Sequence, residues 1–93
     1  TADATPNIRF NSSTTLNSKL SVGDSITVTI ISSTDNTNYS YEQLTIDGSA
    51  VTEQWIGGAA PSGGSSGYDI YTFQIIKTAD ATYLVFGNKV NFT

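Results

Sequence analysis

The sequence predicts an all-β domain, built as an antiparallel sandwich or barrel of about seven strands. Residues 25–30 alternate strictly between polar and apolar side chains, so that Ile26, Val28 and Ile30 point to one face. Thr and Ile, which favour strands because their branched side chains pack well on a pleated surface, are abundant. Turn signals such as Gly23-Asp24 and Asp47-Gly48 recur at short spacing, which is typical of sandwiches and barrels.

The length of 93 residues predicts a single domain. Residues 1–15 are interpreted as an N-terminal arm that includes the first short alternation, around Ile8 and Phe10. Residues 16–93 are interpreted as the sandwich. The arm is rich in polar residues, so we expect that a partner is needed to order it.

The first half of the sandwich is predicted from three patterned segments. Leu16, Leu20 and Val22 indicate a strand before the Gly23-Asp24 turn. Residues 39–46 indicate another strand, and its apolar face contains either Tyr41 or Leu44. Asp47-Gly48 then predicts a type I′ hairpin turn, because both central residues of that turn need a positive φ. Residues 50–56 are predicted to form the returning strand.

The second half of the sandwich begins after a long Gly-rich segment. Residues 68–77 alternate again, with Ile70 or Tyr71 followed by Phe73 and Ile75 on the inner face. Residues 78–82 are predicted to be a short corner. The last two strands, residues 83–86 and 89–92, are predicted to form a hairpin about Gly87-Asn88.

Charge and composition exclude several classes of function. The net charge is −4, and the four cationic residues are spread over the whole chain, so we expect no nucleic-acid binding and no attraction to anionic membranes. The chain contains neither His nor Cys, which removes the usual zinc ligands and the imidazole base of a catalytic triad.

No catalytic, cofactor-binding or metal-binding residues are predicted, and an enzyme is the least supported class. Asp24, Asp47 and Asp80 all fall in predicted turns, where an Asp carboxylate usually accepts a hydrogen bond from a backbone N–H. Glu42 and Glu53 lie opposite each other if the hairpin closes at Asp47-Gly48. A solvated face is the favoured interpretation of that pair, and a calcium site is the alternative.

Residues 57–67, with the sequence GGAAPSGGSSG, do not form a phosphate-binding loop. The Gly-Lys-Ser/Thr ending and the following helix are both missing. The segment is predicted to be a flexible loop, longer than most sandwich connections. Because it adjoins Trp55 and Ile56, we expect it to reach a neighbouring subunit.

The chain has more large apolar side chains than a small sandwich core can hold, so some of them must be exposed. Tyr and Trp are enriched at interfaces because they combine a large contact area with a polar tip. An alternative is that these rings simply lie over the edges of the sheets. The predicted partner-binding residues are Trp55, Ile56, Tyr68, Tyr71, Tyr39 and Tyr41.

Residues 16–31, 44–51 and 71–86 resemble parts of an immunoglobulin-like domain: the entry into strand B, the turn after strand C, and strands E and F. Tyr83 lies near the tyrosine-corner position. The resemblance implies an immunoglobulin-like antiparallel β-sandwich. Val28 and Val85 stand where antibody domains have cysteines, strand C lacks its Trp, and Asp80 lies one place late before Tyr83.

Immunoglobulin-like domains also occur as appendages of bacteriophage virion proteins, and this acidic chain without Cys is similar to those in composition. The expected function is that of a non-enzymatic structural protein on the virion surface, which decorates a capsid or tail assembly. Its expected partner is the major capsid protein or another virion protein, and it could also form a homo-oligomer. The alternative is a carbohydrate-binding or adhesin-like module in which an exposed, flat Trp55 stacks on sugars.

Overall fold

The computed structural model describes residues 3–33, 40–41, 43–59 and 66–93. The chain is an all-β sandwich-like fold, as predicted. Its two main sheets hold four and three strands, and there is a further two-stranded pair. The strands are β1 (Asp3–Ala4), β2 (Asn7–Ile8), β3 (Ser25–Ser33), β4 (Ser40–Tyr41), β5 (Thr45–Ile46), β6 (Ser49–Ala50), β7 (Glu53–Trp55), β8 (Tyr68–Ala79) and β9 (Thr82–Phe92), and one short helix, α1, spans Leu16–Lys19.

The larger sheet has the strand order β3-β8-β9-β7. Strands β3, β8 and β9 are antiparallel neighbours, and β7 runs parallel to β9. Along β3 every second residue is half-buried, which confirms the predicted inward direction of Ile26, Val28 and Ile30. Phe73 on β8 lies opposite Val28 on one side and Gly87 on the other, at the middle of the sheet.

The smaller sheet has the order β2-β5-β6. The β5–β6 hairpin closes at Asp47 and Gly48, whose φ angles of 52° and 84° confirm the predicted turn. Strand β2 pairs in parallel with β5, and β1 pairs in parallel with β4. The described part of the N-terminal arm is therefore paired within the chain itself, contrary to the expectation that only a partner orders it.

The core lies between the two sheets. Phe73, Ile75 and Val85 of the larger sheet are completely buried, and so is Leu44, which precedes β5. Of Ile70 and Tyr71, either of which could lie on the inner face by sequence, Tyr71 is the buried one, with 2% of its surface exposed. The buried apolar cluster as a whole consists of Leu16, Leu44, Ile46, Tyr71, Phe73, Ile75 and Val85.

The strand predicted around Leu16 is wrong, because the residues from Leu16 to Lys19 form a helix. Its first turn is stabilised by Thr15, whose Oγ1 accepts a hydrogen bond from the Ser18 backbone N–H at 3.2 Å. The Asp47 carboxylate also accepts bonds from the N–H groups of Leu16 and Asn17, at 2.7 and 3.0 Å. Capping by a group so distant in sequence has no local signal.

The hairpin predicted about Gly87-Asn88 is also wrong, because β9 continues through both residues. Gly87 lets the Trp55 ring pack closely on the strand, because a Cβ at this position would lie 2.7 Å from the ring. The tight turn lies instead at Asp80 and Ala81, between β8 and β9, and joins two neighbours of one sheet. The predicted corner at residues 78–82 is therefore a hairpin turn within the larger sheet.

Candidate protein-contact face

The surface of the larger sheet that points away from the core is here called the outer face. Residues on it alternate with the buried ones along each strand, and the pairing register places them side by side. None of its described residues carries a charge. The outer face comprises Ser25, Thr27, Thr29, Ile31 and Ser33 of β3, Tyr68, Ile70, Thr72, Gln74 and Ile76 of β8, Leu84, Phe86, Asn88, Val90 and Phe92 of β9, and Gln54 of β7.

Both ends of the outer face are apolar. At one end Ile31 is 65% exposed, beside Tyr68, Val90 and Phe92. At the other end Phe86 is 44% exposed and adjoins Leu84. Single exposed apolar side chains are common, whereas contiguous ones mark binding surfaces. The arrangement is therefore that of a surface suited to contact with another apolar surface.

The centre of the outer face is polar. Thr29, Thr72 and Asn88 lie in one row across three strands, because Thr72 pairs with both of the others. Thr27 and Gln74 form the next row and lead to Phe86. These uncharged groups can hydrogen-bond to water when the face is free and to a partner when it is covered.

Strand β9 carries the sequence signal for this face. Residues 83–86 are Tyr-Leu-Val-Phe, so apolar side chains point both into the core and away from it. An antiparallel strand with one solvated face should alternate between apolar and polar residues, and an unbroken apolar run is typical of a strand covered on both faces. The sequence predicts this run as the first strand of a hairpin about Gly87-Asn88, which gives no reason for its second apolar face.

Trp55 lies on the inner side of the larger sheet and is half-buried. Its ring meets the ring of Phe73 edge-on, with centroids 5.6 Å apart and planes at 72°. Gly87 lies directly beneath the indole. An open groove of about 210 Å³ runs past the ring, and it is lined by Trp55, Ile56, Ala59, Gly87, Asn88 and Lys89.

Of the predicted partner-binding residues, Tyr68 belongs to the outer face and Ile56 lies beside it. Tyr68 is 55% exposed on β8, and Ile56, at 80%, lines a depression that also contains Phe86 and Gln74. Tyr71 instead lies in the core, stacked on Phe73 with centroids 6.4 Å apart, because its register position on β8 points inward. Tyr39 and the side chain of Tyr41 lie outside the described residues.

Several exposed residues of the outer face are not among the partner-binding residues predicted from the sequence. They are all aliphatic or Phe, whereas the predicted residues are mainly Tyr and Trp. Four of them lie on β9, which the sequence predicts as two strands joined by a turn at Gly87-Asn88. These missed residues are Ile31, Leu84, Phe86, Val90 and Phe92.

A polar cluster around Asn17 joins α1 to the β8–β9 turn. The Asn17 side chain donates to Asp80 at 2.9 Å and accepts from the Ala81 N–H at 2.8 Å. The buried Lys77 ammonium donates to the Asn17 carbonyl oxygen at 2.7 Å. All these partners belong to the chain itself, so the cluster holds the fold together. Asp80 accepts its hydrogen bond from a side chain distant in sequence, whereas a backbone N–H was the expected donor.

Tyr83 completes this cluster, with its hydroxyl 3.4 Å from Asn17 Oδ1. Burial raises the pKa of Tyr83 above its ordinary value, and the negative charges of Asp47 and Asp80 raise it further. The phenol therefore keeps its proton at neutral pH and remains a hydrogen-bond donor.

Two further acidic groups, Asp69 and Glu53, are held by donors within the chain. Asp69 is completely buried, and its Oδ1 lies 3.6 Å from Lys89 Nζ and accepts from Asn91 Nδ2 at 2.8 Å. Glu53 Oε1 accepts from Gln43 Nε2 at 2.5 Å, and its predicted neighbour Glu42 lies outside the described residues. The described residues include no group of three or more acidic side chains placed to hold a metal ion.

No protein-family model, no curated protein and no solved structure matches the chain. Within the described residues, no helix has the length and apolar character needed to cross a membrane. The fold and the outer face together define an all-β sandwich-like domain with one broad, uncharged and partly apolar surface.

The contact between Gly87 and Trp55 leads to a spectroscopic prediction. Gly87→Ala places a methyl group against the indole, so we expect the ring to move outward and the fluorescence of this single tryptophan to shift to longer wavelength. Such overpacking costs about 1–3 kcal/mol in unfolding free energy. In the Trp55→Leu background the same substitution should cost clearly less, and an equal cost in both backgrounds would contradict the proposed contact.

Proposed function

We propose that this chain is a non-enzymatic structural domain that works by applying its outer face to another protein. The observation that carries the proposal is the outer face itself, where exposed apolar residues adjoin across neighbouring strands and no described residue is charged. Protein interfaces are depleted of charge and enriched in aromatic side chains relative to ordinary surface, and the outer face has no described charge and contains Tyr68, Phe86 and Phe92.

We further propose that the assembly is a virion, on whose surface the domain serves as a decoration or appendage. The support is the resemblance of the sequence to immunoglobulin-like virion appendages, together with the all-β sandwich-like fold. The domain is then mounted on the major capsid protein or on another virion protein. A net charge of −4, with no described charge on the outer face, suits a component that stays soluble while it presents that face to a partner.

The carbohydrate-binding alternative ranks lower because of the position of Trp55. Sugar stacking needs a flat aromatic ring face open to solvent, whereas this indole is half-buried against Gly87 and Phe73. Binding of the purified chain to a glycan array, lost in Trp55→Ala but kept in Tyr68→Ala, would reverse this ranking.

The virion proposal is tested by locating the protein in a culture that produces it. Antibodies raised against the purified chain should detect it in particles banded on a density gradient, and immunogold should label the outside of those particles. Detection only in fractions free of particles would contradict the virion assignment. Detergent-washed cell envelopes from the same culture serve as the control for non-specific adhesion.

A further inference from the structure

We propose that the outer face binds the outer face of a second copy of this chain, so that two larger sheets pack against each other around a twofold axis. This inference rests on the proposed function, since it names the partner of the same surface. Three features of the outer face carry it: its area, its charge and the order of its polar and apolar rows.

The area of the outer face is large enough for a weak but specific dimer. The three long strands β3, β8 and β9 span about 14 Å across and about 35 Å along the sheet, or roughly 500 Å² in projection. Two such faces bury about 1,000 Å² before the relief of the side chains is counted, which reaches the lower limit for a specific interface. Gln54 and Ile56 extend the surface beside Phe86.

The charge distribution favours a second copy over an oppositely charged partner. A chain with a net charge of −4 repels its copies, and a twofold contact sets each surface against itself, so a charged residue near the axis would meet its own like charge. The described residues of the outer face avoid this problem because none is charged. Asp69, Lys77 and Lys89 all lie on the opposite side of the same strands.

The order of the rows makes the outer face complementary to itself. Its ends are apolar, around Ile31 and Phe92 at one end and Phe86 at the other, and its centre is the polar row with Thr72. A copy turned over about an axis parallel or perpendicular to the strands places apolar ends on apolar ends and the polar centres on each other. Sheets packed in this way lie about 10 Å apart with interdigitated side chains.

The test compares two substitutions at equally exposed positions. Ile31 on the outer face is 65% exposed, and Val22, in the turn before β3, is 66% exposed. In analytical ultracentrifugation we expect the wild-type chain and Val22→Lys to sediment as dimers at micromolar to millimolar concentrations. Ile31→Lys and a second outer-face variant, Val90→Lys, should weaken association at least tenfold, because each places two like charges in a desolvated contact.

Circular dichroism shows whether each variant is folded, and the two outer-face variants give independent readings. A folded wild-type chain that sediments as a monomer at the highest concentration would overturn the inference, as would a dimer that both outer-face variants leave intact. A monomeric chain found on virions would overturn only the second-copy inference. A dimer absent from virions would overturn only the virion proposal.

Discussion

Replacing Phe73 with Ala is expected to lower the free energy of unfolding by about 3–5 kcal/mol. Phe73 is completely buried at the middle of the larger sheet, between the rings of Trp55 and Tyr71. The cost combines the lost transfer of the ring from water with the cavity left among side chains that cannot close over it. A domain of this length has a total stability of about 5–14 kcal/mol, so the variant loses a large part of it.

Urea denaturation followed by circular dichroism measures this loss. Phe10→Ala is the matched control, because Phe10 is 54% exposed and its ring centroid lies 4.8 Å from the Lys19 ammonium. The control should lose about 1 kcal/mol or less. Equal losses in the two variants would mean that Phe73 is not at the centre of the core.

Asp47→Ala is expected to cost about 2–4 kcal/mol, because hydrogen bonds to a charged group contribute about 1.5–3 kcal/mol each and are not additive. The carboxylate bonds to the backbone N–H groups of Leu16 and Asn17 and so ties the β5–β6 turn to α1. Asp47 also has a φ of 52°, a left-handed conformation that Ala adopts less readily than Asp or Asn.

Two controls separate these contributions in urea denaturation. Asp47→Asn keeps the preference for the left-handed conformation and one acceptor oxygen, so it should lose about half as much as Asp47→Ala. Asp24→Ala removes an exposed acceptor that bonds only locally, to the Ser21 N–H at 2.8 Å, and should cost about 0.5–1.5 kcal/mol. A loss in Asp47→Ala no larger than in Asp24→Ala would contradict the role of Asp47 as a long-range cap.

The sequence predicts features of this fold that depend on neighbouring residues. The alternation of residues 25–30 determines which face of β3 is buried, and Asp47-Gly48 determines a turn by its own backbone preferences. The sequence also predicts that Asp47, as an Asp in a turn, accepts hydrogen bonds from backbone N–H groups. It does not predict which N–H groups donate, because they lie about thirty residues earlier in the chain.

Features that depend on tertiary contacts are not predicted. A four-residue helix is too short to show a helical period, so the sequence predicts a strand at Leu16. Gly87-Asn88 has the composition of a turn, but the glycine is there to admit the Trp55 ring. The outer face becomes visible only when β8 and β9 are placed side by side, which the predicted corner between them obscured.

The central claim, that the outer face is a contact between copies of the chain, is tested most directly by hydroxyl-radical footprinting over a dilution series. Phe86 and Phe92 on the outer face should be protected at high concentration and become reactive on dilution, whereas Phe10 should react equally at every concentration. Mass spectrometry of the digested protein gives the oxidation of each residue. If Phe86 and Phe92 react as readily as Phe10 at every concentration, the outer face is not covered by a second copy.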